Sequence, residues 1–285
     1  MKHIHIIPYM LNAVLLLLST GLFSQTIIYS EFKNANWDLY AISPNGKSVE
    51  QITQDPQRDF QSDYSIVHHK LVFDSYRDEN NRNIFTLSME SGQITQLTKL
   101  KSRDGHPVWS PNGQRIAFQS GRVGNSEVFI MDHDGKNVEQ ITAHKSFDGV
   151  PKWSPNGQLL AFNSSRGGSP NVFVIDLNTK KEASITFDEH ANFIQDWLSQ
   201  TSLLMISDKD GRKQLYKIDL NDKQILHLPT SMAVTHARCN TEGDIVFSGE
   251  TTDGGVNIFL MKSDGSDLQQ LTNSKTDKRF PAFIE

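Results

Sequence analysis

The chain has 285 residues, a formal net charge of −5 at pH 7 and a single cysteine, Cys239. The acidic balance excludes the strongly basic surface on which nucleic-acid binding relies. One thiol excludes an internal disulfide and a cysteine-based metal site, so stability has to come from burial and hydrogen bonding.

In chain order, the first feature is a leader. Lys2 precedes the apolar run Ala13-Val14-Leu15-Leu16-Leu17-Leu18 and then small and polar residues up to Ser24, the form of a secretory signal peptide cleaved after Ser24. The alternative is a retained anchor, but the apolar stretch from Leu11 to Phe23 is short against the roughly 20 residues that a bilayer span needs. No cysteine follows it, so lipid modification is not expected. Residues 1–24 are therefore assigned to a signal peptide and 25–285 to one domain.

Short strands follow at once: TIIYS at Thr26–Ser30, DLYAI at Asp38–Ile42 and VEQIT at Val49–Thr53. From there the chain repeats itself. Tyr64, Trp109, Trp153, Trp197, Cys239 and Phe283 mark one position at spacings of 42 to 45 residues. A second marker, Q-[IL]-T or S-I-T, ends at Thr53, Thr98, Thr142, Thr186 and Thr272, with the weaker LHLPT near Leu228. The best-kept copies are PVWSPNGQRIAF (Pro107–Phe118) and PKWSPNGQLLAF (Pro151–Phe162). In each, proline presets φ for a turn and glycine supplies the positive φ that closes it. A β-rich run follows, then a polar stretch, a second run such as Val128–Met131, and a third such as Val138–Thr142. Asp-Gly pairs at 134–135, 210–211 and 264–265 are hairpin signals, and Asp132-His-Asp-Gly135 reads as a hairpin rather than a calcium loop, for want of the later glutamate. The pair His68-His69 falls in the hairpin that replaces Ser-Pro-Asn-Gly in its copy, and is expected to be exposed. No amphipathic 3.6-residue pattern persists after the leader.

Four short antiparallel strands per repeat, six times over, predict an all-β fold: a six-bladed β-propeller of four-stranded antiparallel blades. The end PAFIE matches only the first strand of a repeat, and the mature start matches the second. One blade is thus split between the termini and closes the ring, which also removes exposed edges.

The pattern P-x-W-S-P-N-G-x-x-[IL]-A-F-x-S, then V-F-[IV]-[MI]-D, then Q-[IL]-T resembles the repeat of TolB-type propellers, a WD-like repeat of exported bacterial proteins. It is most specific over 103–142 and 148–186 and weakest around Cys239. The resemblance implies six blades and a partner-binding role in the periplasm at the cell envelope. Full-length TolB carries an α/β domain before its propeller; here a blade strand begins directly after the leader, which sets the binding of TolB's own partners in doubt. Related propellers form the non-catalytic gate of prolyl-oligopeptidase-like enzymes and the body of oligogalacturonate lyases.

A hydrolase elbow is missing: Gly124-Asn-Ser-Glu-Val128 lacks the second glycine. In a propeller, ligands converge from loops that precede the inner strands. Those loops, and the residues that break the repeat near them, supply the candidate binding set: Arg58, Asp59, Asp104, His106, Asp148, His190, Asn192, His236, Arg238, Asp277 and Arg279. The recurrent aspartates Asp104 and Asp148 also suit a structural role as hydrogen-bond acceptors, and Arg77, Arg122 and Arg166, repeated in phase, read as loop braces. His106, His190 and His236 come from different blades and form the best case for a composite site. The expected role is an exported, monomeric, non-catalytic module, periplasmic or secreted, that recognises a protein or cell-envelope glycan at the channel mouth without a cofactor. The alternative is a lyase or hydrolase on acidic oligosaccharides, using the three histidines, nearby arginines as carboxylate binders and a divalent cation in the channel.

Overall fold

A computed structural model of the chain describes residues 26–78 and 81–284; the expected leader, residues 1–24, lies outside them. The described residues form six four-stranded antiparallel sheets and no helix. The inner strands of blades 1 to 6 are Asp59–Ser65, Asp104–Trp109, Asp148–Trp153, Asn192–Ser199, Val234–Cys239 and Lys278–Ile284. Blade 6 is the split one. Its inner strand comes from the C-terminal end and pairs with Thr26–Lys33, with Ile284 opposite Thr26 and Phe283 opposite Ile27. The ring closes as the termini predict, because Lys278–Ile284 packs against the inner strands of both blade 1 and blade 5.

The apolar runs are continuous because each sheet is buried on both faces. Successive side chains of a strand point to opposite faces, so neighbours in sequence enter different cores. Leu71 and Phe73 pack toward blade 6 with Ile28 and Leu39, whereas Val72 between them packs toward blade 2 with Trp109 and Ile116. Six such clusters, one at each blade-to-blade interface, make the core. At two interfaces the repeat tryptophan also bonds across blades. Trp153 Nε1 donates to Val108 O (3.2 Å) and Trp197 Nε1 to Lys152 O (3.0 Å), one blade back.

The twin dodecapeptides are turns. Ser110 Oγ donates to Asn112 Oδ1 (2.8 Å) and accepts from Arg115 N (2.9 Å), with Gly113 at φ +70°. Blade 3 repeats the arrangement with Ser154, Asn156 and Gly157. The Q-x-T marker is a strand cap. The hydroxyls of Thr53, Thr98, Thr142, Thr186 and Thr272 accept from the backbone N–H of Leu39, Ile84, Val128, Val172 and Ile258 at 2.9–3.0 Å.

Two local expectations change. The outer strand of blade 2 is only Glu139–Gln140, because Ile141 and Thr142 both turn their N–H groups onto Val128 O and leave the ladder. His69 is exposed as expected, but His68 is half-buried. Its Nε2 lies 2.9 Å from Gly113 O, and its ring stacks on His133 and packs against Trp109.

Candidate functional site

The inner strands enclose a central cavity of about 240 Å³, with Gln61, His106, Lys152, Gln195, His236 and Arg238 among its polar lining. It forms because the inner strands are bulged. Register slips between Phe60 and Asp63, Gly105 and Val108, and Gly149 and Lys152. Gln61, His106, Val150 and Phe280, all three residues before the repeat aromatic, take positive φ of 49° to 56°. All four line the cavity. For the β-branched Val150 this is an outlier that costs about 1–3 kcal/mol. The glycine before the bulge is required by close approach: a Cβ on Gly105 would lie 2.3 Å from Arg82 Cζ.

Arg82 backs one wall. It donates to the fully buried Asp74 (2.6 Å) and to Gln61 Oε1 (2.5 Å). With its oxygen so occupied, Gln61 turns its amide Nε2 toward His106 Nε2 at 3.4 Å. That ring nitrogen must then be the acceptor, which leaves the proton on Nδ1. Burial, and then the charges of Arg82 and Lys152, hold the His106 imidazole well below its ordinary pKa. His236 is likewise neutral: burial first, then Arg279, Lys152 and Lys213, push it down to about 3. Its ring packs on Phe280 with centroids 3.9 Å apart.

A belt of charge lies one residue before the repeat aromatic. That position holds Asp63, Val108, Lys152, Asp196, Arg238 and Ala282 in blades 1 to 6. Arg238 of blade 5 reaches past the small Ala282 to Asp63 of blade 1 (2.6 Å), and its Nε meets Asp196 of blade 4 (2.9 Å). Both carboxylates also accept backbone N–H groups, from Trp109 and Cys239 respectively. Lys152 is left over. Burial and the Arg238 charge lower its ammonium to about 7, against the partial opposition of Asp196, Asp63 and Cys239.

Of the expected binding residues, the structure brings His106, His236 and Arg238 to the cavity. Asp59, Asp104 and Asp148 turn away from it. All three are fully buried at the head of the inner strand, paired with Arg77 (2.7 Å), Arg122 (3.1 Å) and Arg166 (2.5 Å). Each guanidinium also covers two phenylalanines of its own blade at 4.8–5.7 Å. The braces expected for these arginines thus account for the aspartates as well. Blade 6 keeps the corner with the signs exchanged, Lys278 meeting Glu31 at 3.4 Å.

Asn192 is buried against Asp188 (2.8 Å) and Asn171 (3.3 Å), and Arg58 is exposed on the rim. Asp277 and Arg279 pair with each other at 3.0 Å. His190 is not among the cavity lining; it sits partly exposed, 4.0 Å from Asp208. The three-histidine site is therefore not assembled. Among the described residues no group of three or more His, Cys, Asp or Glu side chains is gathered to hold a metal.

The loop-based candidate set omits Gln61, Lys152 and Gln195, which lie on inner strands, and Lys213, which stands just before Gln214–Asp219. For Lys152 a signal was present in the column before the repeat aromatic, where four copies out of six carry a charge, Asp63, Lys152, Asp196 and Arg238.

At the mouth where the inner strands begin, aromatic rings from blades 6 and 1 adjoin. Phe32 meets Trp37 at 5.4 Å, Trp37 meets Phe60 at 5.3 Å, and Phe60 meets Phe280 at 6.3 Å and Tyr76 at 6.4 Å. Through Phe280 the row reaches His236 inside the cavity. Phe32 is 39% exposed, and Trp37, Phe60, Tyr76 and Phe280 are half-buried.

Residues 148–283 match the TolB β-propeller domain family. Among solved structures, TolB from Acinetobacter baumannii superposes with a TM-score of 0.81 at 20% identity, over 95% of this chain and 70% of that chain. A chain of a nidogen/laminin complex gives 0.73 at 8% identity, over 92% and 98%. An oligogalacturonate lyase in complex with manganese gives 0.58 at 11%, over 88% and 74%. At these identities the likeness carries the fold alone.

Proposed function

Because this chain is a TolB-like six-bladed β-propeller, we propose that it is an exported, monomeric, non-catalytic module that binds a protein partner at the mouth where its inner strands begin. The observation that carries this reading is the aromatic row Phe32–Trp37–Phe60–Phe280. Trp37 and Phe280 have no aromatic counterpart among Phe, Tyr and Trp in the other five blades, whereas Phe60 is matched by Phe193 and Phe32 by Tyr76. Structural aromatics in this fold repeat around the ring; this set as a whole does not, and it stands at a rim. Half-exposed Trp and Phe beside a cavity are the residues that dominate protein interfaces. The periplasm, or the space beyond it, is the expected compartment, from the leader at 1–24 and from the TolB likeness. The oligosaccharide-cleaving alternative loses ground because its three histidines do not meet and because His106 already faces Gln61.

The test is to identify a partner from envelope extracts by photo-crosslinking at position 37, and to titrate that purified partner by calorimetry. The double variant Trp37→Ala, Phe60→Ala should weaken binding by about 30-fold or more, since even one interface hot spot costs at least ~2 kcal/mol. Unchanged affinity, or His236-dependent cleavage of a polyuronide by the wild-type protein, overturns the proposal.

A further inference from the structure

We infer that the central cavity is a carboxylate site, built to take the C-terminal α-carboxylate and apolar last side chain of a polypeptide. The inference rests on the reading of the neighbouring mouth as a protein-binding surface.

The charge comes first. Two ammonium groups, Lys152 from blade 3 and Lys213 from blade 4, line the same cavity. Among the described residues neither has a carboxylate within 4 Å. The two acids of the belt that could neutralise Lys152, Asp63 and Asp196, are engaged by the Arg238 fork and by backbone amides. Lys213 is exposed at the edge of the cavity, its ammonium 5.3 Å from the Phe193 ring. Both imidazoles in the cavity are neutral, and Lys152 and Lys213 both act on His236. The enclosed space is thus electropositive without being filled by cations, and low-dielectric walls focus such a field on an entering anion.

Size and lining then select the anion. A cavity of about 240 Å³ holds one residue rather than a folded surface. Its walls are largely apolar: Val108, Val150, Ile194, Phe193 and Phe280 surround the polar groups. A uronate would need many partners for its hydroxyls, and the amide oxygens that could accept from them are already engaged. Gln195 Oε1 accepts from Ala237 N (2.9 Å) and Asn163 Oδ1 from Ile194 N (2.7 Å). An alkyl or aryl side chain beside a single carboxylate suits this composition. A chain end enters a narrow cavity with one strand of backbone, and capture of terminal carboxylates is a recurring mode of peptide recognition.

The groups facing Lys152 are Arg238, Asp63, Asp196, Cys239, His106 and His236, of which the histidines stay neutral across the accessible range. Lys152 loses its proton near pH 7, while an α-carboxylate is ionised above about pH 3.5. Affinity should therefore be greatest between pH 5 and pH 6.5 and fall as the pH is raised to 8.5.

The probes are N-acetyl-Gly-Gly-Leu and N-acetyl-Gly-Gly-Phe, each as the free acid and as the amide, with digalacturonate and acetate as separate arms. Binding to the leaderless protein is read from the NMR shifts of its ¹³C-dimethylated lysines. Expected are saturable shifts with the free acids, at least about tenfold weaker binding of the amides, and a rise in the Lys152 titration midpoint on binding. Lys213→Met, at the edge of the cavity, and Lys152→Met should each weaken the free acids about fivefold or more, whereas Arg58→Met on the rim should not. Equal binding of acid and amide, tighter binding of digalacturonate than of the peptides, or binding indifferent to Lys213→Met overturns the inference. Acid-selective binding with no partner effect of Trp37 and Phe60 would uphold the cavity and sink the mouth. A partner lost with the aromatics, together with equal acid and amide binding, would do the reverse.

Discussion

Removing residues 280–285 tests ring closure most directly. The cut deletes the buried Ala282, Phe283 and Ile284 and, with them, the pairing of the inner strand with Thr26, Ile27 and Ile28. Burial of Phe283 and Ile284 is worth about 1.5–3 kcal/mol each, and each lost ladder hydrogen bond about 1 kcal/mol. Ile27, Tyr29, Val246 and Ile258 lose Phe283 as a neighbour, and Phe73 and Leu71 lose Ile284. The total, about 6–10 kcal/mol, is comparable with the whole net stability of a folded domain, about 5–15 kcal/mol. At about 2–4 °C per kcal/mol for a chain of this size, Tm should fall on the order of 12–40 °C, or the chain should fail to fold. Circular-dichroism melts of the leaderless protein and the truncated form measure it, and a synthetic peptide of residues 278–285 should restore part of the loss. A truncated protein melting within about 3 °C of the full chain would refute the split-blade closure and the energetic reasoning with it.

Two further outcomes test the conserved internal grammar of the blades. Arg122→Met leaves the fully buried Asp104 carboxylate without its partner and uncovers Phe118 and Phe129, so urea unfolding should show a loss of about 3–5 kcal/mol; a change under about 1 kcal/mol would return Asp104 to the list of ligand groups. Thr142→Val keeps the shape but removes the acceptor of Val128 N (2.9 Å) and the donor to Glu127 (2.6 Å). It should cost about 2 kcal/mol by the same measurement, and a neutral result would mean that the Q-x-T marker is kept for something other than capping.

What the sequence determined by itself is everything that local chemistry and period control. Ser110-Pro-Asn-Gly113 makes its turn with its own side chains, and Thr142 caps a strand 14 residues away in the same blade. Two-faced apolar runs can be buried only by stacking, and Lys278–Ile284, a copy of a repeat's first strand, completes its blade by pairing with Thr26–Lys33. The braces at Arg77, Arg122 and Arg166 were legible for the same reason, since a contact made within a blade recurs with it. The cavity was not legible in this way. Arg238 and Asp63 lie 175 residues apart and meet because blades 2 to 4 carry the chain around the ring and blade 6 offers only Ala282 between them. Bulges at His106, Val150 and Phe280 turn those side chains into the lumen, and no residue identity announces a positive φ at a position before proline, where that region is disfavoured. The loops looked like the place for ligands because they vary. The tertiary structure moves the site inward, to strand positions that look alike one blade at a time and become a charged, half-neutralised ring only when the six are set around one axis.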